Sequence, residues 1–540
     1  MERMRFVPGR VVPQEITTPP GHGQAGAARW NPDYLALLCA LAAYLVWVMW
    51  VGFAQTALGY TTGVDFILGF IPEAKRFLAG APLLSNYHPP LYPMLLGGAF
   101  LLTNDWVSAA QLLSFTGGAG VLVAAFALCR GLYGRPGGWG ALVGLAAAPG
   151  FLAYAVTPSS DVLFSAVFLG ACACAVAAVR TQRQDFCAAT GLLIGCAVLL
   201  RTNGITLFLL VALPLLGGGS WRARIRQAAV MGFFSVLPIA AMLAFTKATG
   251  SSIRPVGTVD NLAMTLYVDG PDRGSGDAIR KVQGRFRSVS EVLLHDPVRV
   301  VRVYANDLLQ LLLVNLPRLV SAPLTYVFAP GLIWLLLRRS SPLALGVLIA
   351  LLAQTALLNF KEFDARYYIF VPPILGAGIA ATLQVFLPGE STKSRFGTSG
   401  PIMALAVVLS LAGFFMAGRA AIDDLATLSR EPAELITRGV PGRIPPDAVV
   451  VARKPQLAFY AGATNATVSA NSLGAVRDEL AALGAERPVF LFVGQSEAVF
   501  RPGLAELRDP GAAPPWLALV EWSGPQDQPA NRWALYRFQP

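Results

Sequence analysis

The chain has 540 residues, of which 55% are hydrophobic and only 14% charged, and its 42 Lys and Arg against 31 Asp and Glu give a formal net charge of +11. Soluble proteins carry about 25% charged residues, so a mean hydropathy of +0.55 spread over most of the chain excludes a soluble enzyme, a disordered protein and a fibrous repeat. The positive residues fall in short clusters between apolar runs, which argues against a nucleic-acid surface and for the charge bias that orients membrane helices.

Residues 1–33 are polar and rich in Pro and Gly, with Arg3, Arg5, Arg10 and Arg29 and no apolar core, and are expected to form a cytoplasmic tail rather than a secretion signal. The run 35–53 then spans a hydrocarbon core of ~30 Å as a retained anchor. Further apolar runs lie at 107–129, 139–156, 162–179, 186–200, 205–216, 228–245, 320–337, 343–358, 367–386 and 402–416. Together they predict roughly eleven crossings. The stretch 186–216 decides the topology. One helix there would bury Arg201 at the bilayer centre, which is costly. Two short helices broken at Arg201-Thr202-Asn203-Gly204 place all the basic clusters (the tail, Arg130/Arg135, Arg180/Arg183, Arg222/Arg224/Arg226, Arg338/Arg339, Lys393/Arg395) on one face, the cytoplasmic one.

All six cysteines (Cys39, Cys129, Cys172, Cys174, Cys187, Cys196) sit in or beside these runs, where small apolar packing is the expected role and no disulfide framework is implied. The predicted fold is therefore a polytopic α-helical membrane protein. A transmembrane domain covers 34–419, with a first outer loop at 55–106 and a long outer loop at 247–318. Residues 91–102 and 298–313 read as helices at the outer interface. Strand-like runs at 448–451, 489–493 and 516–521, alternating with helix-like 473–483 and 497–507, predict a small extracytoplasmic α/β domain over 420–540.

The outer face holds the polar chemistry. Asp65 follows the first crossing; alone it reads as a solvated loop acid or a helix cap, yet a carboxylate partly shielded at the membrane surface also suits a general base. In Thr157-Pro158-Ser159-Ser160-Asp161, Ser159, Ser160 or Asp161 can cap the next helix, and topology places Asp161 on the same face as Asp65. His88 precedes Pro89-Pro90, which restrict its backbone to extended geometry. Three histidines in the whole chain argue against a multi-histidine metal site. Arg201 and Arg366, the latter opening Arg366-Tyr367-Tyr368, offer planar donor forks that match phosphate oxygens; interfacial anchoring is the plainer reading and suits Arg366 and Tyr367 better than Arg201. Two acids, a constrained histidine and two arginines on one face suit sugar transfer from a lipid-linked phosphate, whose leaving group needs cations more than a strong acid.

In their order, Asp65, Ala79-Gly80-Ala81-Pro82, Tyr87-His88-Pro89-Pro90-Leu91-Tyr92-Pro93, Thr157-Pro158-Ser159-Ser160-Asp161 and Leu200-Arg201-Thr202-Asn203-Gly204 resemble the GT-C glycosyltransferases. More narrowly they resemble the branch of protein O-mannosyltransferases and lipid A aminoarabinose transferases, over roughly residues 35–370. The resemblance implies an inverting transferase that moves a sugar from a polyprenyl-monophosphate donor to an extracytoplasmic protein, lipid or glycan acceptor. It puts Asp65 at the catalytic acid of the first loop, Asp161 at the second acid, Arg201 near the lipid phosphate, and His88 where relatives often carry a basic or polar residue before proline; Arg366 and Tyr367 are expected to join the substrate-binding residues from their own chemistry at the same face. Several relatives carry an acidic pair in the first loop, whereas Phe66 follows Asp65 here, which removes the support for the divalent metal that some relatives bind; no cofactor is required. The competing class is a polytopic transporter or flippase of lipid-linked sugars, which would place polar groups at mid-membrane on interrupted helices rather than at the outer ends.

Overall fold

The computed structural model describes residues 32–54, 63–84, 88–251, 256–268, 282, 284–320, 341–360, 364–386, 399–468, 472–484, 486–524 and 532–540. All of the expected tail 1–33 except its last two residues, which already belong to the first helix, all of the expected crossing 320–337 except Val320, and the clusters Arg338/Arg339 and Lys393/Arg395 lie outside them.

The first crossing is helix α1 (Pro32–Ala54), started by a proline at its first position. Its Asp33 is wholly buried and held by Arg130 Nη2 at 2.7 Å and Arg135 Nε at 2.9 Å. Two cations legible only as orientation signals thus also clamp the N-terminal end of α1. Helix α2 (Ile71–Leu78) and α3 (Leu91–Thr103) follow in the first loop. At ~1.5 Å per residue α3 is too short to cross.

Helix α4 (Trp106–Ala146) carries the next two expected crossings, because Gly134, at φ 78° and ψ −169°, reverses the chain two residues before Pro136. A Cβ on Gly137 would lie 2.6 Å from the Cys129 carbonyl oxygen, and one on Gly138 2.9 Å from Phe126 Cε2. Only a hairpin brings those positions together. The C-terminal end of its second arm continues as α5 (Pro149–Tyr154), then α6 (Asp161–Thr181) and α7 (Gln184–Leu200) run away and return.

After Arg201, which is extended at φ −152° and ψ 135°, residues Thr202–Leu216 form a 3-10 helix. A 3-10 helix rises ~2.0 Å per residue, so this stretch reaches ~30 Å where an α-helix would fall short. The break expected at 201–204 is real, but the second segment is not the short α-helix its composition suggested. Helix α8 (Trp221–Thr249) follows, capped by the Ser220 side chain. The stretch expected to be the long outer loop contains α9 (Val256–Tyr267), α10 (Val289–His295) and α11 (Pro297–Gln310). The chain re-enters through α12 (Pro342–Leu358), α13 (Val371–Phe386) and α14 (Ser399–Thr437).

Among the described residues four helices combine the length and apolar character of a membrane span: Asp33–Val51, Trp106–Ala146, Ser160–Thr181 and Trp221–Thr249. Large apolar side chains such as Val46, Phe233 and Leu243 are more than 60% exposed on them, as lipid-facing positions require. Between helices, glycine supplies close contact. Gly140 and Gly144 on α4 face Gly376 and the Pro372 carbonyl on α13, and Gly191 and Gly195 on α7 face the backbone of α8, each pair spaced as in small-residue membrane interfaces.

Beyond the helices lies a five-stranded mixed sheet ordered β2-β1-β3-β5-β4, formed by β1 (Val449–Val451), β2 (Thr464–Ala466), β3 (Val489–Val493), β4 (Leu517–Trp522) and β5 (Ala534–Phe538). The first three are parallel, joined through helices Gln456–Ala461 and Leu473–Leu483; β5 runs antiparallel to β3 and β4. Every residue of β3 is buried, as an unbroken apolar run in a central strand predicts.

The last turns of α14 grip this sheet. Glu431 Oε2 accepts from Gln495 N at 3.1 Å, and its carboxylate fills the place a Cβ on Gly494 would take. Burial pushes the Glu431 carboxyl above its ordinary value, against the pull of Lys454. An acid whose folded pKa is raised keeps its proton where the unfolded chain has released it, so its contribution to stability falls as pH rises from the ordinary glutamate range through the folded value. Glu431→Gln is accordingly expected to raise the unfolding temperature at pH 7, with the advantage shrinking toward acidic pH. Thermal unfolding of both proteins across that range checks it; a constant difference would contradict it.

Candidate active site

Several helix ends meet on one side of the fold. Leu83 N donates to Ser251 Oγ at 2.8 Å, tying the first loop to the end of α8, and Ser114 Oγ donates to the Thr157 carbonyl at 2.8 Å, tying α4 to the turn before α6. Asp161 opens α6 from that turn. It is 4% exposed. Ser159 Oγ donates to its Oδ2 at 2.6 Å and accepts from its backbone N at 3.0 Å. Its other oxygen, Oδ1, is paired with Arg201, whose guanidinium also donates to Ser160 Oγ at 3.5 Å. The backbone break between α7 and the 3-10 helix aims Arg201 across at α6.

Arg366 approaches the same carboxylate from a single 3-10 turn, Ala365–Tyr368, capped by Asp364. Its Nε lies 3.9 Å from Asp161 Oδ2 and 2.9 Å from Asp364 Oδ2. Tyr367 stands between the two cations: each guanidinium carbon is 4.9 Å from its ring centroid, a cation–π distance on both. Arg366 Nη2 also donates to the Tyr367 hydroxyl at 3.0 Å. Burial works against the charge on Arg366, but Asp161, Tyr367 and Asp364 outweigh it, and its pKa is raised. Two acids and two arginines therefore sit within one electrostatic group of balanced charge.

Asp65 and His88 form the second half. His88 Nε2 is 3.9 Å from Asp65 Oδ1. The imidazole packs on Phe70, with ring centroids 4.5 Å apart. Gly69 makes room, since a Cβ there would come within 2.8 Å of His88 Cδ2. The Asp65 side chain is 63% exposed, more open than the partly shielded base expected, because His88 covers it on one side only. Phe70 in turn meets Tyr92 of α3 at 4.6 Å between centroids. Tyr92 is wholly buried, and its phenol is pushed up by burial and then by the negative charge of Asp161. This Phe70–Tyr92 pair links the two halves.

All six residues singled out in the sequence thus lie at one end of the helices. Asp161, Arg201, Arg366 and Tyr367 come into mutual contact; Asp65 and His88 contact each other. Two participants were not singled out. Asp364 lies in the short polar stretch before the run 367–386, and Tyr154, whose hydroxyl donates to Asp364 Oδ1 at 3.2 Å, lies inside the apolar run 139–156. A recess of about 440 Å³ along α11, lined by Asp296, Arg299, Arg302, Asn306 and Asp307 among others, contains none of these residues.

The backbone superposes on ArnT from Cupriavidus metallidurans bound to undecaprenyl phosphate, with a TM-score of 0.53 and 14% identity over 93% of this chain and 97% of that one. The apo form of the same protein gives 0.54 at 14% identity, over 94% and 98%. The apo oligosaccharyltransferase of Archaeoglobus fulgidus gives 0.53 at 12%, over 92% of this chain and 74% of that one. Both neighbours are GT-C glycosyltransferases. The chain has the GT-C fold. No protein-family model and no curated protein matches it by sequence. At such low identity the GT-C likeness concerns the path of the backbone, and the chemistry has to be argued from the side chains.

Proposed function

We propose that the chain is an integral membrane glycosyltransferase that moves a sugar from a polyprenyl-monophosphate carrier to an extracytoplasmic acceptor, with inversion at the anomeric carbon. The observation that carries this reading is the convergence of the Asp65–His88 pair and the Asp161–Arg201–Tyr367–Arg366 group at one end of the fold. In the proposed step Asp65 takes the proton of an acceptor hydroxyl or amine as its O or N attacks the anomeric carbon. The bond from that carbon to the phosphate oxygen breaks, and its electron pair stays on the phosphate. Arg201 and Arg366 hold the charge that develops there, in a site whose donors are oriented beforehand. His88 and Tyr367 border the sugar, and Asp161 keeps the arginines in place. The proposed step requires no metal.

The same reading places the basic inner ends in the cytoplasm of a plasma (inner) membrane, with roughly eleven crossings and the sheet domain outside. Incubating the purified protein with a panel of polyprenyl-phosphate sugars and an extract of envelope acceptors should consume one donor and yield free polyprenyl phosphate, followed by mass spectrometry. Transport of an intact lipid-linked sugar across proteoliposomes without its consumption would favour the flippase instead.

A further inference from the structure

Asp364 does more than a helix cap needs. As the cap of the turn 365–368, its Oδ1 accepts from Arg366 N at 3.1 Å. That uses one oxygen. The other, Oδ2, lies 2.9 Å from Arg366 Nε, and Tyr154 reaches from α5 to donate to Oδ1 at 3.2 Å. Helix α5 is packed close for this purpose: a Cβ on Gly150 would stand 3.0 Å from Ala365 Cβ. The Nε contact is a charge-to-charge one without a hydrogen bond, so Asp364 anchors the guanidinium by its charge while one terminal nitrogen bonds the Tyr367 hydroxyl. Because the Tyr367 ring also carries Arg201 on it at 4.9 Å, anything that fixes Arg366 fixes the separation of the two cations.

We propose that Asp364 and Tyr154 form a strut that sets the direction of Arg366 and, through the Tyr367 ring, its spacing from Arg201, so that both guanidinium groups meet one lipid-linked phosphate. This rests on the glycosyltransferase reading of the site. Neither strut residue touches the reacting atoms; both are positioning residues.

Asp364→Asn separates the strut from the cap, because asparagine still accepts at the cap position but carries no charge. The probe is undecaprenyl phosphate, titrated into the full-length protein in lipid nanodiscs and followed by native mass spectrometry. Asp364→Asn is expected to weaken binding about tenfold, and Tyr154→Phe about threefold, at unchanged unfolding temperature. Asp364→Glu should recover most of the affinity. In an Arg366→Ala background Asp364→Asn should add nothing, since there is no longer a guanidinium to aim. Wild-type affinity in a folded Asp364→Asn protein, or an undiminished further loss in the Arg366→Ala background, would overturn the strut. If Arg366→Ala itself binds like the wild type, the phosphate role of Arg366 falls, and with it that part of the glycosyltransferase reading. Should Asp364→Asn not fold, Tyr154→Phe alone decides: unaltered affinity overturns the proposal.

Discussion

Asp65→Asn is expected to lower transfer by about 10²–10⁴-fold, the range a positioned general base supplies, while leaving expression and membrane insertion intact. The second half of that expectation comes from exposure. At 63% exposed, with its contact to His88 at 3.9 Å, the carboxylate holds up little of the fold. Loss of the negative charge removes the proton acceptor and leaves the shape unchanged. The measurement is initial rate with the consumed donor, paired with thermal unfolding of the purified variant. A rate near that of the wild type would remove Asp65 from the reaction and shift attention to His88.

Arg201→Ala is expected to have two consequences of different kind. Asp161 is 4% exposed and paired with Arg201, so deleting the cation strands a buried carboxylate. Breaking a buried pair in this way costs about 3–5 kcal/mol, and a lower unfolding temperature should report it. Arg201→Lys keeps the charge but loses the planar fork, and should fold better than the alanine variant while still raising the donor KM more than the acceptor KM. The double variant Asp161→Asn/Arg201→Ala should recover part of the lost stability without recovering donor use. An unchanged donor KM in the lysine variant would count against the phosphate role; full stability in the alanine variant would show that Asp161 finds its compensation elsewhere.

Much of this arrangement was legible because membrane physics leaves few choices. An apolar run of spanning length has one use, and the price of Arg201 at mid-bilayer forced the break at 201–204 that the structure contains. Once the crossings were set, Asp65, His88, Asp161, Arg201 and Arg366 had to share a face. Which of them touch was not legible. Asp161 meets Arg201 and Arg366 across 40 or more residues of sequence, through rotamers and a turn that no local pattern encodes. Asp364 and Tyr154 escaped notice for opposite reasons: an acid beside a cation in a short polar loop looks like solvated surface, and a tyrosine in an apolar run looks like packing. The buried Asp33 escaped because basic clusters near inner helix ends already had a sufficient explanation in orientation. The 3-10 geometry of Thr202–Leu216 has no compositional signature, since the same leucines and valines serve an α-helix equally well.

That tighter coil makes bilayer thickness a variable of the chemistry. Rewinding the fifteen residues Thr202–Leu216 into α geometry would shorten the segment by ~7 Å. With its far end pinned, Arg201 would be drawn along the helix axis and away from Asp161. Thick and thin host membranes should therefore favour different windings of the same segment, and turnover should fall in lipids whose thickness favours the winding that parts Arg201 from Asp161.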